Sequence, residues 1–363
     1  MGFGAMRLPT TSDDSGDIDE DLAIKMIRYA IDQGVNYVDT AWPYHDGNSE
    51  KVVAKALRDG YREKVRLATK LPSWLIEEPQ DMDEYLDKQL EKLEVDQIDF
   101  YLLHALSREH WENYKEVGVF DWLDKVQQEG KIAHPGFSFH DDYDLFKEII
   151  DSYDWTFSQI QYNYLDKDFQ AGKKGLHYAA SKGIAVVVME PLMGGKLAQE
   201  PPEEINNIWE RSGESRSPVS WALNWLWNQP EVSVVLSGMS TMDQVKENVA
   251  LAAESGVGTM SEGEIQLMEE AAAKHRELSP VSCTGCNYCM PCPNGVNIPG
   301  NFRLYNDAEV YDRFEESKEN YFNMDEGARA SACVACGQCE EVCPQNLQII
   351  DLLAEEASYF GDN

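Results

Sequence analysis

Apolar and polar positions divide most of the chain into short apolar runs separated by amphipathic stretches. The runs are FGAMRL near Phe3, NYVDTA from Asn36, VRLATKL from Val65, IDFYLLHAL from Ile98, IAHPGFSF from Ile132, WTFSQIQYNY from Trp155, IAVVVMEPL from Ile184 and VSVVLSGM from Val232. Each is short and rich in β-branched or aromatic residues, which predicts eight strands. Between them, DEDLAIKMIRYAIDQG repeats its apolar positions at helical spacing and ends at Gly34, and MDEYLDKQLEKLEV carries leucines at the same period. Both read as amphipathic helices. Strands alternating with helices predict βαβ units and a parallel sheet. Eight such units in about 250 residues give a (β/α)8 TIM barrel, whose chemistry sits at the carboxyl ends of the strands. A doubly wound open sheet is the alternative, but it usually carries a Gly-rich fingerprint after its first strand. Met6-Arg7-Leu8-Pro9 stands there instead. Pro135 speaks against the fifth strand, because it removes a ladder donor from within it.

The cysteines set the domain organisation. All 8 lie between Cys283 and Cys343, so a cysteine-free body is followed by a cysteine-loaded tail. The expected division is a barrel over residues 1–278 and a second domain over 279–363. Of the 363 residues, Lys and Arg number 31 against 65 Asp and Glu, a net charge of −34. That field repels phosphate backbones and anionic lipid headgroups, so neither nucleic acid nor a membrane surface is an expected partner. The tail from residue 279 holds 14 acidic and 4 basic side chains. No apolar run approaches the roughly 20 residues that span a bilayer, and MGFGAMRLPTTSDD has neither the basic nor the apolar segment of a signal peptide. A soluble, cytoplasmic protein is expected.

Four reactive side chains fall within predicted strands and their exits: Asp39 ending the second strand, Tyr44 five residues on, Lys70 ending the third and His104 ending the fourth. A tyrosine has a reference pKa of about 10 and needs help to act as a proton donor. A neighbouring lysine ammonium stabilises the phenolate and lowers that pKa, and an aspartate keeps the lysine charged and aimed. A histidine beside the tyrosine can hydrogen-bond a substrate oxygen. Each residue taken singly has a plain structural role, but all four at successive strand ends point to an active site.

These segments resemble the aldo-keto reductase superfamily, and specifically its bacterial and archaeal branch with a C-terminal iron-sulfur domain. NYVDTAWPYHDGNSE is similar to the family's Asp and Tyr segment, ATKL to its Lys segment and YLLH to its His segment. The resemblance runs along essentially the whole chain. It implies an NAD or NADP cofactor, with Ser138 and Gln159 holding the nicotinamide carboxamide. The segment Glu190 to Leu197, with Pro191, Leu192, Gly194, Gly195 and Lys196, would run along the pyrophosphate. Gly238 and Ser240 would lie near the phosphates, and Gln244, Glu247 and Asn248 near the adenosine. There are departures. Met189 stands where many members stack an aromatic residue on the nicotinamide, Phe139 replaces the Asn that often follows the carboxamide Ser, and Gln244 occupies the position that often carries an Arg for the 2′-phosphate. The usual cation for NADP is therefore missing, and Lys246 is the nearest in sequence.

The tail reads Cys283-x2-Cys286-x2-Cys289-x2-Cys292-Pro293, then Cys333-x2-Cys336-x2-Cys339-x3-Cys343-Pro344. Three cysteines at successive x2 spacing wrap one cubane, and the cysteine before proline commonly ligates the other cluster. By that pattern one 4Fe-4S cluster takes Cys283, Cys286, Cys289 and Cys343, and a second takes Cys333, Cys336, Cys339 and Cys292. Structural zinc favours separated pairs of ligands, and disulfides do not suit a cytoplasmic chain. NFRLYNDAEVYDRFEESKENYF, between the two runs, looks helical, which fits a small, mainly α-helical ferredoxin-like domain. The expectation is an NAD(P)-dependent enzyme interconverting a small carbonyl and an alcohol, carrying two 4Fe-4S clusters for electron transfer or structure, in an anaerobe, with a redox partner protein. The alternative is a ferredoxin-like electron-transfer protein whose barrel binds a ligand or partner. Trp42, His45, Trp74 and the segment ALSREHWENYKEVGVF are expected to shape the substrate pocket.

Overall fold

In a computed structural model of the chain, the structure describes residues 1–12, 14–283, 285, 288–343 and 345–362. Contacts divide it into two compact units, Met1–Gln199 with Arg216–Ser261, and Glu200–Ser215 with Glu262–Asn363.

The first unit is a closed barrel of eight parallel strands in sequence order. They are β1 (Gly2–Gly4), β2 (Tyr37–Asp39), β3 (Arg66–Leu71), β4 (Ile98–Leu106), β5 (Ile132–Phe139), β6 (Phe157–Gln161), β7 (Ala185–Met189) and β8 (Val232–Gly238). Closure comes from β1, which pairs with both β2 and β8. All eight expected strands form, but the first, second, sixth and seventh are shorter than their apolar runs because those chains leave the ladder at the barrel mouth; of FGAMRL only Phe3 and Gly4 are strand, and Ala5–Arg7 is a turn. Inside, Tyr37, Ala68, Leu102, Phe157, Val187 and Leu236, one from each of six strands, interlock as a buried cluster, the filled interior of a barrel rather than a pore. Pro135 sits within β5, and its carbonyl accepts a hydrogen bond from Thr156 N–H just ahead of β6. Its missing donor thus falls where β6 has not yet begun, so no ladder bond is lost.

Outside the barrel, Glu20–Asp32 is the first long helix, capped by the Asp19 carboxylate, which accepts from Leu22 N–H. Pro79–Leu93 starts with proline in its first turn and a capping box between Glu78 and Asp81. No helix among the described residues is long and apolar enough to cross a membrane.

The second unit is mainly helical. Glu203–Glu210 and Glu262–Leu278 pack together, and Ile298–Val310, Phe314–Phe322 and Ile349–Phe360 surround a core of Phe302, Leu304, Tyr305, Tyr321, Leu353 and Phe360. The stretch read as one helix between the cysteine runs is two helices. They part at Tyr311–Arg313, where Asp312 takes a left-handed φ of +52°.

Candidate active site

The carboxyl ends of β2, β3 and β4 bring the four expected catalytic side chains together. Lys70 is fully buried, and its Nζ lies 2.7 Å from Asp39 Oδ1 and 2.8 Å from the Thr40 carbonyl. The same ammonium sits 5.0 Å from the Tyr44 ring centroid. Tyr44 and His104 meet edge to face, with centroids 6.1 Å apart. Burial disfavours the Lys70 ammonium, but Asp39 and Tyr44 outweigh it and raise its pKa above the ordinary value. Burial lifts the Asp39 carboxyl above its usual range, with Lys70 opposing.

Tyr44 departs from expectation. Its pKa is raised, not lowered, because burial opposes the phenolate more than Lys70 favours it, and Asp39 and Glu190 add to the rise. The phenol therefore keeps its proton through the neutral range. Burial, followed by Lys70, His140 and His110, holds His104 well below the ordinary histidine pKa, so its imidazole is neutral. It leaves β4 at a register shift between Leu103 and Leu106, where Ala105 takes a φ of +51°. His104 Nδ1 is buried without a hydrogen-bond partner.

Lys70 rests on a second buried network. The Glu50 carboxylate accepts from Thr69 Oγ1 at 2.8 Å and Gln89 Nε2 at 2.7 Å and pairs with Lys92 at 3.3 Å. Gln89 also donates to the Lys70 carbonyl and accepts from the Tyr101 hydroxyl. Every buried oxygen in this group has a donor, which fixes β3 and so the base of the lysine.

A cavity of about 380 Å³ opens above these residues, lined by Asp39, Tyr44 and His104 at one end and Gln244, Glu247 and Asn248 among the rest. Of the residues carried over from the resemblance, Ser138, Gln159, Pro191, Leu192, Gly194, Gly195, Gly238, Ser240, Gln244, Glu247 and Asn248 line it; Lys196 is not among the lining residues. Gln159 Oε1 is buried without a partner, and its amide nitrogen reaches only the Met189 sulfur at 3.5 Å. Ser138 Oγ accepts from Ala105 N–H at 2.7 Å, which leaves its hydroxyl proton to be donated elsewhere. An orphaned acceptor beside an available donor fits a carboxamide. Gln244 closes a capping box instead of facing the cavity unengaged: its Oε1 accepts from Ser240 and Thr241 N–H at 2.8 and 3.2 Å. Lys246 pairs with Asp243. Glu190, which opens the expected pyrophosphate segment, also lines the cavity, as do Arg7 and His140, which sequence reasoning gave no role. Their advance signal was a position close to the carboxyl end of a strand, directly after β5 for His140 and one turn beyond β1 for Arg7.

The expected pocket wall is largely corrected. Trp42 packs edge to face on Tyr85, with Lys92 over its ring. His45 is a clamp: its Nε2 accepts from Leu8 N–H at 3.0 Å and its Nδ1 donates to the Ser15 carbonyl. The segment after His104 forms helices Arg108–Glu116 and Val119–Gln128, and its Trp111 and Tyr114 are buried in the core. Trp74 alone of these lies beside His104, at 5.1 Å.

In the second unit, Cys289, Cys292, Cys333, Cys336 and Cys339 line a cavity of about 400 Å³. Cys333–Cys339 curls around it through left-handed turns at Ala335 and Gly337. Among the described residues no three His, Cys, Asp or Glu side chains converge closely enough for a single metal ion. Thiols bordering one shared cavity suit a polynuclear cluster better than the tetrahedral point of a zinc site. Cys283 and Cys343 pack partly buried against the same unit's core, and Cys286 lies outside the described residues.

Comparison with known proteins finds a family for the body of the chain and one for its tail. Residues 1–272 match the aldo/keto reductase family and residues 282–348 the 4Fe-4S dicluster domain. The L-galactose dehydrogenase of Arabidopsis thaliana is 30% identical over 287 residues, covering 70% of this chain and 84% of its own. The NADH-specific methylglyoxal reductase of Escherichia coli is 27% identical over 300 residues, covering 69% and 88%. Among solved structures, an aldo-keto reductase of Bacillus halodurans in its holo form superposes with a TM-score of 0.63 at 26% identity, over 75% of this chain and 91% of that one. With its closed eight-stranded barrel and a C-terminal 4Fe-4S dicluster domain, the chain belongs to the aldo/keto reductase family.

Proposed function

We propose that this chain interconverts a small carbonyl compound and its alcohol with NAD or NADP, and that its tail carries two 4Fe-4S clusters. The observation that carries the reading is the buried Lys70–Asp39 pair beside a protonated Tyr44 and a neutral His104, with Asp39, Tyr44 and His104 lining one cavity. The name of one relative, an NADH-specific methylglyoxal reductase, supports the same reaction class.

When bound, the nicotinamide supplies or accepts the hydride. Ser138 and Gln159 would hold its carboxamide, and the Pro191–Lys196 and Gly238–Asn248 segments the rest of the dinucleotide. In the reducing direction Tyr44 donates its proton to the carbonyl oxygen. Lys70 steadies the resulting phenolate, and Asp39 with the Thr40 carbonyl keeps Lys70 charged and aimed at it. The neutral His104 offers its ring N–H to the same oxygen and fixes the carbonyl's orientation. Burial keeps water away from the proton in flight.

In the tail, Cys333, Cys336, Cys339 and Cys292 would hold one cluster, and Cys283, Cys286, Cys289 and Cys343 the other. When bound, the clusters supply one-electron transfer or structural support. Redox exchange with a partner protein, a cytoplasmic setting in an anaerobe, and a division into residues 1–278 and 279–363 belong to the same proposal. Anaerobic purification followed by a screen of small carbonyls with NADH and NADPH tests it. Turnover with either nucleotide, together with the broad visible absorption of iron-sulfur clusters, is expected; a chain that neither binds nicotinamide nor turns over any carbonyl contradicts it.

A further inference from the structure

Among the described residues, Arg7 is the only Lys or Arg lining the barrel cavity. The acids Asp39, Glu190 and Glu247 also line it, and Asp39 is already engaged by Lys70. A dinucleotide brings a doubly negative pyrophosphate, and a chain of net charge −34 needs a fixed cation to receive it.

The position of Arg7 meets that need. It ends the turn Ala5–Arg7 that follows β1, at the barrel's catalytic face. Its backbone is fastened on both sides: its carbonyl accepts from Ser240 Oγ at 2.9 Å, and the next residue, Leu8, donates to His45 Nε2. Its side chain runs between two glycines of different segments. A Cβ at Gly238 would stand 3.2 Å from Arg7 Cγ and Cδ, and one at Gly194 would stand 3.1 Å from Arg7 Nη2. A Cβ at either position would press on the arginine by a few tenths of an ångström, so the two glycines let it lie close against both segments. Gly194 also has a φ of +69°, which favours glycine independently. Among the described residues the guanidinium has one ion pair, to Glu190 Oε1 at 3.7 Å, too long for a hydrogen bond, and the side chain is 44% exposed.

We propose that the Arg7 guanidinium binds the pyrophosphate of the nicotinamide dinucleotide, exchanging its loose pairing with Glu190 for bidentate contact with phosphate oxygens. This rests on the nicotinamide reading above. Pyrophosphate is favoured over the 2′-phosphate because the guanidinium points to Gly194 and Glu190 on the β7 exit. Only the Arg7 backbone faces Ser240, on the side of Gln244. An arginine fork matches phosphate oxygens in a way a lysine does not. Glu190 is a competitor for the same cation, so it sets how readily the site gives Arg7 up.

The test is equilibrium binding to the full cluster-loaded chain by tryptophan-fluorescence quenching and calorimetry, with NADH, NADPH, ADP-ribose and adenosine as probes. Arg7→Met keeps the aliphatic contact with Gly238 and removes the charge. It is expected to weaken NADH, NADPH and ADP-ribose alike, by about 10- to 100-fold, and to leave adenosine, which has no phosphate, unchanged. Arg7→Lys should fall between the two. Glu190→Gln, which leaves Arg7 in place, should tighten all three pyrophosphate-bearing probes a few-fold, and it tests the idea even where Arg7→Met does not fold. Unchanged NADH and NADPH affinity in Arg7→Met, or no tightening in Glu190→Gln, overturns the proposal. A loss confined to NADPH also overturns it, by moving Arg7 to the 2′-phosphate. A wild-type chain that binds neither NADH nor NADPH sinks the nicotinamide reading itself, whereas wild-type binding with indifferent variants sinks only the role of Arg7.

Discussion

The Lys70 ammonium lies 2.7 Å from Asp39 Oδ1 with both side chains enclosed by protein, and Tyr44 lies directly against the pair. Two opposite charges removed from water hold each other in place, because neither has an alternative partner of comparable strength. Asp39 Oδ2 has no hydrogen bond at all. The pair is therefore costly to keep in the fold, and its position beneath Tyr44 explains why it is kept.

Removing one partner should be worse than removing both. Asp39→Asn strands a buried ammonium and is expected to cost about 3–5 kcal/mol of stability, read as a lower midpoint in denaturant. Asp39→Asn with Lys70→Met should cost clearly less than the sum of the single changes. Additive losses would show that the two charges do not sustain each other.

His104 gives stability a sign with pH. Its folded pKa is depressed, while the unfolded chain binds a proton near pH 6.5. The contribution is therefore present above about pH 6.5 and lost as pH falls below it, at up to about 1.4 kcal/mol per pH unit. In His104→Gln, the slope of stability between pH 6.5 and 5 should flatten relative to wild type. An unaltered slope would mean that His104 is charged in the fold.

Gln244→Arg tests how the adenosine end is built. The substitution removes the oxygen that caps Ser240 and Thr241 N–H, so a loss of about 1 kcal/mol is expected. It should at the same time shift preference toward NADPH by supplying a bidentate cation for the 2′-phosphate. A wild type already strongly selective for NADPH would place that contact on another residue.

Glu356 should be a stability defect at alkaline pH. It is buried on the helix Ile349–Phe360, both its oxygens lack partners, and burial pushes its carboxyl up to about 8. The raised pKa means that the folded unit keeps a proton that the unfolded chain releases near pH 4.5. Stability is thus lost as pH rises between about 4.5 and 8 and is flat beyond. Glu356→Gln should remove that slope and raise the melting temperature at pH 8; no gain there would contradict the account.

Much of this was legible in the chain because a barrel repeats one rule, in which each short apolar run ends in polar residues at the same face. That rule located Asp39, Lys70 and His104 before any fold was known, and the cysteine spacing marked the tail. What stayed hidden depends on direction and environment. Trp42 and His45 flank Tyr44, but left-handed backbone at His45 and Asp46 turns the chain sharply, so neighbours in sequence face different elements. The rise in the Tyr44 pKa comes from burial, which a residue pattern does not measure. Arg7 reads as an ordinary solvated cation until Gly194 and Gly238 are seen on either side of it. The break at Asp312 is invisible to periodicity, because both halves keep helical spacing.

The most direct test of the central claim is the comparison of wild type and Tyr44→Phe, anaerobically, for NADH- and NADPH-dependent carbonyl turnover together with dinucleotide affinity. The phenol is assigned to the transition state alone, so kcat should fall by about 10²- to 10⁴-fold while nucleotide affinity stays nearly unchanged. Equal turnover by wild type and Tyr44→Phe would contradict the assignment of Tyr44 as the proton donor, and with it the reading of the Lys70–Asp39 pair as its support.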